Sequence, residues 1–423
     1  MDPDVAYNLI HNELQVQSNP VTNMASFVTT KMDEQCDRLI KENLGVNYID
    51  TEVYRGALEM HDRCVKMLGN LFNAPDEKKL YGIQSVGSSE ALGLAMLVCK
   101  RIWQNKRKAQ GKSIDKPNII MGNNVHITWN KFCNYFEIEP RLIPLCSKSY
   151  TVSAEDVQKR IDENTIAVIG VFGSSYTLEY DDIKGINDML VDMKKKYQLD
   201  IPLHVDGASG AFIAPFLNPE IEWDFRLEQV KSINVSGHKF GFTYPGVGWI
   251  FWKNKDDIPA DLFAETNVLG FVERTFSFNF SRGAAMIIAQ YYNLIRLGKQ
   301  GYKNILFSMR ENARYLASGL QNTGKFDIIN DAEKTPCVVV RLKDSSRYNV
   351  SDLSSMLAQR TWTVPAFSLP PSAEHVHVMR MVCKHTFSRN MADLLLKDFL
   401  WAIARLESKE KSKSCISKIH PVC

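Results

Sequence analysis

The chain of 423 residues carries 51 Lys and Arg against 48 Asp and Glu, a formal net charge of +3, with 45% hydrophobic and 23% charged residues. This is the composition of a globular protein of about two or three domains with a large core, and it excludes wholesale disorder. No uninterrupted apolar run reaches the ~18 residues of a membrane span, and the near-neutral balance lacks the basic stripe of a nucleic-acid binder.

The start, MDPDVAYNLIHNEL, shows two early acids and no basic-then-apolar signal. Nine cysteines are scattered without a Cys-x-x-Cys pair. Free thiols in a reducing cytosol are the expectation, and with them a cytoplasmic location.

In chain order, Gly87-Ser88-Ser89-Glu90 opens a helix over ALGLAMLVCKRIWQNKRK, with hydroxyls at its cap, an acid in the first turn and bases at its end. KPNIIMG (116–122) reads as a strand and HITWNKFCNYF (126–136) as a helix. RLIPL (141–145) and IAVIGVFG (166–173) read as strands, and 181–198 as a helix. IPLHVDGA (201–208) and SINVSG (232–237) have the apolar runs of strands buried on both faces, and GVGWIFW (246–252) is a strand turning back after a proline. This alternation predicts an α/β fold with a mostly parallel central sheet covered on both sides. A long helix is expected from 283 to about 322. CVVVRLKD (337–344), a helix near 351–360, TWTVPAF (361–367) and HVHVMRMV (375–382) then predict a small α+β C-terminal domain. The end, SKEKSKSCISKIHPVC, is polar and basic and reads as a loose tail.

Three strand or helix ends carry chemistry. Lys239, in SGHKFG, lies just past an apolar strand, at the edge where open α/β sheets bind ligands. Desolvation there lowers an amine's pKa and leaves it able to bond an aldehyde. Asp206, in HVDGASG, lies at a second such edge, where a carboxylate needs a cation or donor. A protonated pyridine nitrogen is one such cation, and an Asp–pyridinium pair with a Lys Schiff base defines a pyridoxal phosphate site. Gly87-Ser88-Ser89 heads a helix, with free N–H groups suited to a phosphate. His126 sits at another strand-to-helix junction, where an imidazole can stack on the cofactor ring. Taken singly, each has an ordinary structural reading: a solvated lysine, a turn aspartate, a Ser-rich cap, a helix-start histidine. Together, in this chain order, they supply the three contacts of one cofactor, and no metal is expected.

On NPVTNMASFVTTKMDEQCDRLI, NYIDTEVY, GSSEALGLAM, HVDGASGAFIAPF, WDFRLEQVKSINVSGHKFG, TFSFNFSR and VMRMV, the chain resembles the group II pyridoxal-phosphate decarboxylases, specifically the glutamate decarboxylases. The similarity runs from about residue 5 to 408. It implies the fold type I, aspartate aminotransferase-like architecture. The expected organisation is an N-terminal arm (1–55) serving dimer and substrate site, a large cofactor domain (56–300), a small C-terminal domain (301–408) and a flexible tail (409–423).

The resemblance makes Lys239 the Schiff-base lysine and Asp206 the partner of the ring nitrogen, with Ala208 packed on one ring face. Ser88, Ser89, Ser236 and His238 would hold the phosphate and its surroundings. Ser175 stands where the family usually has Thr, and Ser281 would reach the phosphate of the neighbouring subunit of a homodimer. Substrate recognition would fall to Ser26 and Phe27, to Asn47 and Asp50 from the partner, and to Arg380 as a carboxylate clamp. A proton would return to Cα from a closing loop or from His238 or Lys239.

The chain also departs from the family. His126 replaces the usual Gln and matches the aromatic-amino-acid decarboxylase branch. Gly207 and Ala211 exchange the Ala and Gly of the usual DAASGG run, Leu178 replaces a Gly, and Lys31 replaces a Trp. Val268 stands where a mobile hairpin usually offers a Tyr. The expected function is decarboxylation of L-glutamate or a close acidic analogue, for example ibotenate. Alternatives are decarboxylation of an aromatic or aliphatic amino acid, or a non-catalytic relative. Plant members end in a calmodulin-binding segment with an aromatic anchor; this tail has no Trp or Phe, so no calmodulin partner is expected.

Overall fold

A computed structural model describes residues 1–145, 149–267, 270 and 272–416, the side chains of 273 and 409–416 excepted. Three helices, α1 (Pro3–Glu13), α2 (Glu34–Glu42) and α3 (Arg55–Leu71), precede strand β1 (Tyr81–Ser85). Then come α4 (Ser88–Ala109), β2 (Asn118–Gly122), α5 (Ile127–Tyr135), β3 (Glu139–Ile143), α6 (Ala154–Gln158) and β4 (Thr165–Val171). They are followed by α7 (Ile183–Tyr197), β5 (Leu203–Asp206), α8 (Ala214–Leu217), β6 (Val230–Ser236) and β7 (Gly248–Trp252).

These strands form one sheet in the order β1-β7-β6-β5-β4-β2-β3. The five from β3 to β6 run parallel, whereas β7 pairs antiparallel with both β6 and β1. The reason is legible in composition. NIIMG of β2 and TIAVIGV of β4 are buried at every residue, as strands covered by helices on both faces must be. β1 pairs through alternating, partly polar residues (YGIQS), and no apolar run marks it.

A short hairpin, β8 (Ala264–Thr266) and β9 (Glu273–Thr275), leads to α9 (Ala285–Asn322), which is broken at Gly298 by a φ of 56° and ψ of −174°. Beyond lie β10 (Phe326–Ile328), β11 (Cys337–Leu342), α10 (Val350–Ala358), β12 (Ala366–Ser368), β13 (His377–Val382) and α11 (Arg389–Ile416). The four strands make an antiparallel sheet, β10-β11-β13-β12, over a hydrophobic core of its own.

Two expectations are corrected. TWTVPAF, expected to contribute a strand over 361–367, joins the sheet only at its end: Thr361 takes a φ of 69° and Pro365 has no N–H to pair, so β12 begins at Ala366. The backbone from 409 to Ile416 continues α11 rather than forming a loose tail, and residues 417–423 lie outside the described residues.

The N-terminal segment ties the two sheets together. Met24 N–H donates to Thr363 O (3.0 Å) and Met24 O accepts from Val382 N–H (2.9 Å). Five residues on, Thr29 donates its N–H to His238 O and its hydroxyl to Lys239 O, both at 2.9 Å.

Candidate active site

The parallel strands deliver their carboxyl ends to one edge. There a cleft of about 270 Å³ is lined by Asn124 and His126 after β2, by Val171, Asp206 and Ser236 at the ends of β4, β5 and β6, and by Gly173, Ser175, Ala208, His238 and Lys239 just beyond those ends. The first turn of α4, Gly87 to Glu90, closes the far wall.

Asp206 ends β5 and is buried, 5% exposed. Its Oδ2 accepts from the Trp129 indole N–H at 2.8 Å, and its Oδ1 from Asn234 Nδ2 at 3.1 Å and Ala208 N–H at 3.2 Å. All three donors are neutral, so they hold a carboxylate without discharging it.

Lys239 donates to Ser209 Oγ at 3.2 Å. Burial pulls its amine down to about 8, with Asp206 opposing and Arg380 assisting the fall. At neutral pH an appreciable fraction is therefore the free amine that an aldehyde requires. His238 donates Nδ1–H to Val247 O at 2.9 Å; burial, helped by Lys239, lowers its pKa to about 4 and keeps it neutral. His126 caps α5, its Nδ1 accepting from Thr128 N–H at 3.3 Å, which leaves the ring proton on Nε2. Burial and Lys239 lower its pKa as well.

The phosphate end is set by α4. Among the described residues no side chain caps this helix, which leaves its first N–H groups for a ligand. A Cβ on Gly87 would stand 3.0 Å from His238 Cε1, so glycine keeps the wall open there. The Ser88 hydroxyl turns down to Ser236 Oγ (2.7 Å) and Asn234 Nδ2 (3.1 Å), whereas Ser89 Oγ lies 3.4 Å from Thr128 Oγ1 at the cleft. An uncapped helix start, a buried carboxylate with only neutral donors and a desolvated amine fit pyridoxal phosphate: anion, ring nitrogen and aldehyde in turn. Among the described residues no cluster of His, Cys, Asp or Glu is arranged to hold a metal.

Phe27 and Arg380 adjoin this cleft. The Phe27 ring lies 5.4 Å from Lys239 Nζ and 4.4 Å from the Arg380 guanidinium. Arg380 donates to Ser175 O and, at 2.6 Å, to Ala25 O, while its buried Nε has no partner among the described residues. Ser26 Oγ accepts from Val28 N–H at 3.1 Å, two residues along the same segment.

Asn47, Asp50 and Ser281 do not line this chain's cleft but gather elsewhere. Asn47 Oδ1 accepts from Arg282 N–H at 3.0 Å and Asn47 O from Asp50 N–H at 3.2 Å, which sets the 47–50 turn beside Ser281. Val268 lies outside the described residues. Trp129, Asn234 and Ser209 were not anticipated. Asn234 had a signal, a polar residue inside the apolar run SINVSG. Trp129 had only its place three residues after His126.

The pyridoxal-dependent decarboxylase conserved domain matches residues 2–343. Glutamate decarboxylase from Petunia hybrida is 47% identical over 407 residues, 96% of this chain and 81% of the relative. The Aliivibrio fischeri enzyme of that name is 42% identical over 400 residues, covering 94% and 86%. Glutamate decarboxylase of Lactobacillus brevis superposes with a TM-score of 0.93 at 34% identity, covering 100% and 94% of the two chains. A Burkholderia pseudomallei sphingosine-1-phosphate lyase, at 19% identity and a TM-score of 0.79 over 98% and 92%, shares the fold. With its lysine, carboxylate and anion cradle at one sheet edge, this chain belongs to the glutamate decarboxylase branch of the pyridoxal-dependent decarboxylases.

Proposed function

We propose that the chain removes the α-carboxylate of L-glutamate, or of a close acidic analogue such as ibotenate, as a cytoplasmic homodimer with shared active sites. Bound pyridoxal phosphate supplies the electron sink for the bond broken to CO2. Lys239 would provide the amine that holds the cofactor aldehyde, and Asp206 would serve the ring nitrogen. His126 and Ala208 would pack against the ring, and the start of α4, Ser89, Ser236 and His238 would hold the phosphate. Because His238 is held neutral, Lys239 is the better carrier of the proton returned to the product carbon.

The observation that carries an acidic substrate is Arg380. Its guanidinium is half-buried, is satisfied only in part by two carbonyls, and keeps a buried Nε–H without an acceptor among the described residues, beside Phe27 and Lys239. A buried charge left this way is costly, and a substrate carboxylate relieves it. Exposed Phe278 and Phe280, next to Ser281, support a subunit contact through which Ser281, Asn47 and Asp50 reach the partner's cleft.

Two experiments test this reading. Release of CO2 from a panel of acidic, aromatic and aliphatic amino acids should be confined to acidic ones; activity only on the others, the role His126 would suit, refutes it. Mixing Lys239→Ala chains with Ser281→Ala/Asn47→Ala chains should restore roughly a quarter of native activity through hybrid dimers with one intact site. No restoration on mixing would exclude shared sites.

A further inference from the structure

The donors to Asp206 form a connected system that extends away from the cleft. Trp129 is fully buried, and its indole N–H makes the shortest contact to the carboxylate, 2.8 Å. On the other oxygen, Asn234 Nδ2 donates at 3.1 Å while its Oδ1 accepts from His204 Nε2 at 2.8 Å. His204 Nδ1 in turn accepts from Ser232 Oγ at 2.7 Å, and the Trp129 ring meets the His204 ring edge-on with centroids 5.4 Å apart. Burial holds His204 neutral, so the system carries hydrogen bonds but no added charge.

A carboxylate and a pyridine nitrogen that share one proton in a buried site have two arrangements. The proton sits on nitrogen as an ion pair, or on oxygen as a neutral pair. Burial favours the neutral pair, because it carries no charge to desolvate. Hydrogen bonds donated to the carboxylate favour the ion pair, because they stabilise the ionised oxygen and make it a weaker base. Only the ion pair leaves the ring cationic and electron-withdrawing.

We propose that Trp129 is a positioning residue whose indole N–H, donated to Asp206 Oδ2, holds the proton shared with the cofactor's ring nitrogen on nitrogen. Asn234, oriented by His204, and the Ala208 N–H act in the same sense on the other oxygen. This rests on the assignment of Asp206 to the ring nitrogen made above.

The test replaces the indole N–H alone. Benzothienylalanine at position 129 keeps the shape of tryptophan with sulfur in place of N–H, and Trp129→Phe keeps an aromatic ring if the first variant does not fold. Each is loaded with pyridoxal phosphate labelled with nitrogen-15 in the ring, and the ring nitrogen's chemical shift is read by NMR at fixed pH. A lost hydrogen bond to a charged oxygen should lower the ratio of nitrogen-bound to oxygen-bound proton about tenfold, moving the shift toward that of neutral pyridine. The same replacement at Trp103, whose indole donates to Glu163 O, should leave the shift unchanged. A native shift in a folded, cofactor-loaded position-129 variant overturns the proposal. Failure of the unsubstituted chain to take up the cofactor would instead overturn the assignment of the site, and this inference with it.

Discussion

A methyl group added at Gly207 would stand 2.7 Å from the Cβ of Ala211, closer than two such carbons can approach. The usual run of the family carries that methyl at the first position and none at the second. This chain has moved the methyl across the contact rather than added one, so the two departures behind Asp206 are one compensated exchange. Gly207→Ala alone should lower stability by about 1–3 kcal/mol through overpacking. The Gly207→Ala/Ala211→Gly pair should regain most of it, a coupling readable by a double-mutant cycle in urea. Additive effects would show that the two positions do not share the space.

Leu178 is the second departure, and here the backbone decides. It takes a φ of 61°, a region favouring glycine, while its side chain is fully buried in the main core. The conformational cost of about 1–2 kcal/mol is offset by the 2–5 kcal/mol that a buried leucine contributes. Both Leu178→Ala and Leu178→Gly should therefore destabilise, but glycine should be the milder by about 1 kcal/mol, the reverse of the usual order. Equal or greater loss with glycine, measured by denaturant titration, would remove strain from the account.

The parallel core was legible because strands buried on both faces are mostly apolar, as NIIMG and IAVIGV are. β1 was not, since an edge strand pairing through YGIQS satisfies its backbone without a continuous apolar run. Lys239, Asp206 and His126 could be found at strand and helix ends, where sheet geometry concentrates chemistry. Trp129 could not, because a large apolar residue on a helix reads as core until its N–H is seen to meet a carboxylate. The meeting of Asn47 with Arg282, 235 positions apart in the chain, depends on tertiary packing that no local pattern encodes.

Histidines held neutral by desolvation, His204 and His238 among them, should set the acid limit of stability. His204 and His238 are both lowered to about 4, chiefly by burial. Their unfolded forms bind protons below about 6.5, so the unfolded state gains protons first and stability falls as the pH drops from about 6.5 toward 4. Asp181, raised to about 6 by burial, works the other way, since it takes up its proton earlier in the folded state. The cofactor-free chain should thus lose melting temperature below pH 6.5. His204→Gln should flatten that slope, and Asp181→Asn should steepen it. A slope indifferent to both changes would place the acid sensitivity elsewhere.

The electrostatics of Lys239 can be measured without any turnover. In the cofactor-free chain, its reaction with an amine-selective reagent should rise through about pH 8, well below an ordinary lysine. Asp206 raises this pKa and Arg380 lowers it, so the two charges should respond in opposite directions. Asp206→Asn removes a negative neighbour and should move the midpoint down by up to about one unit. Arg380→Gln removes a positive one and should move it up by a similar amount or less. Mass spectrometry of the labelled peptide containing position 239 gives the midpoint directly. Shifts of the same sign in both variants would mean that altered packing, and not the charges flanking the amine, governs its proton affinity.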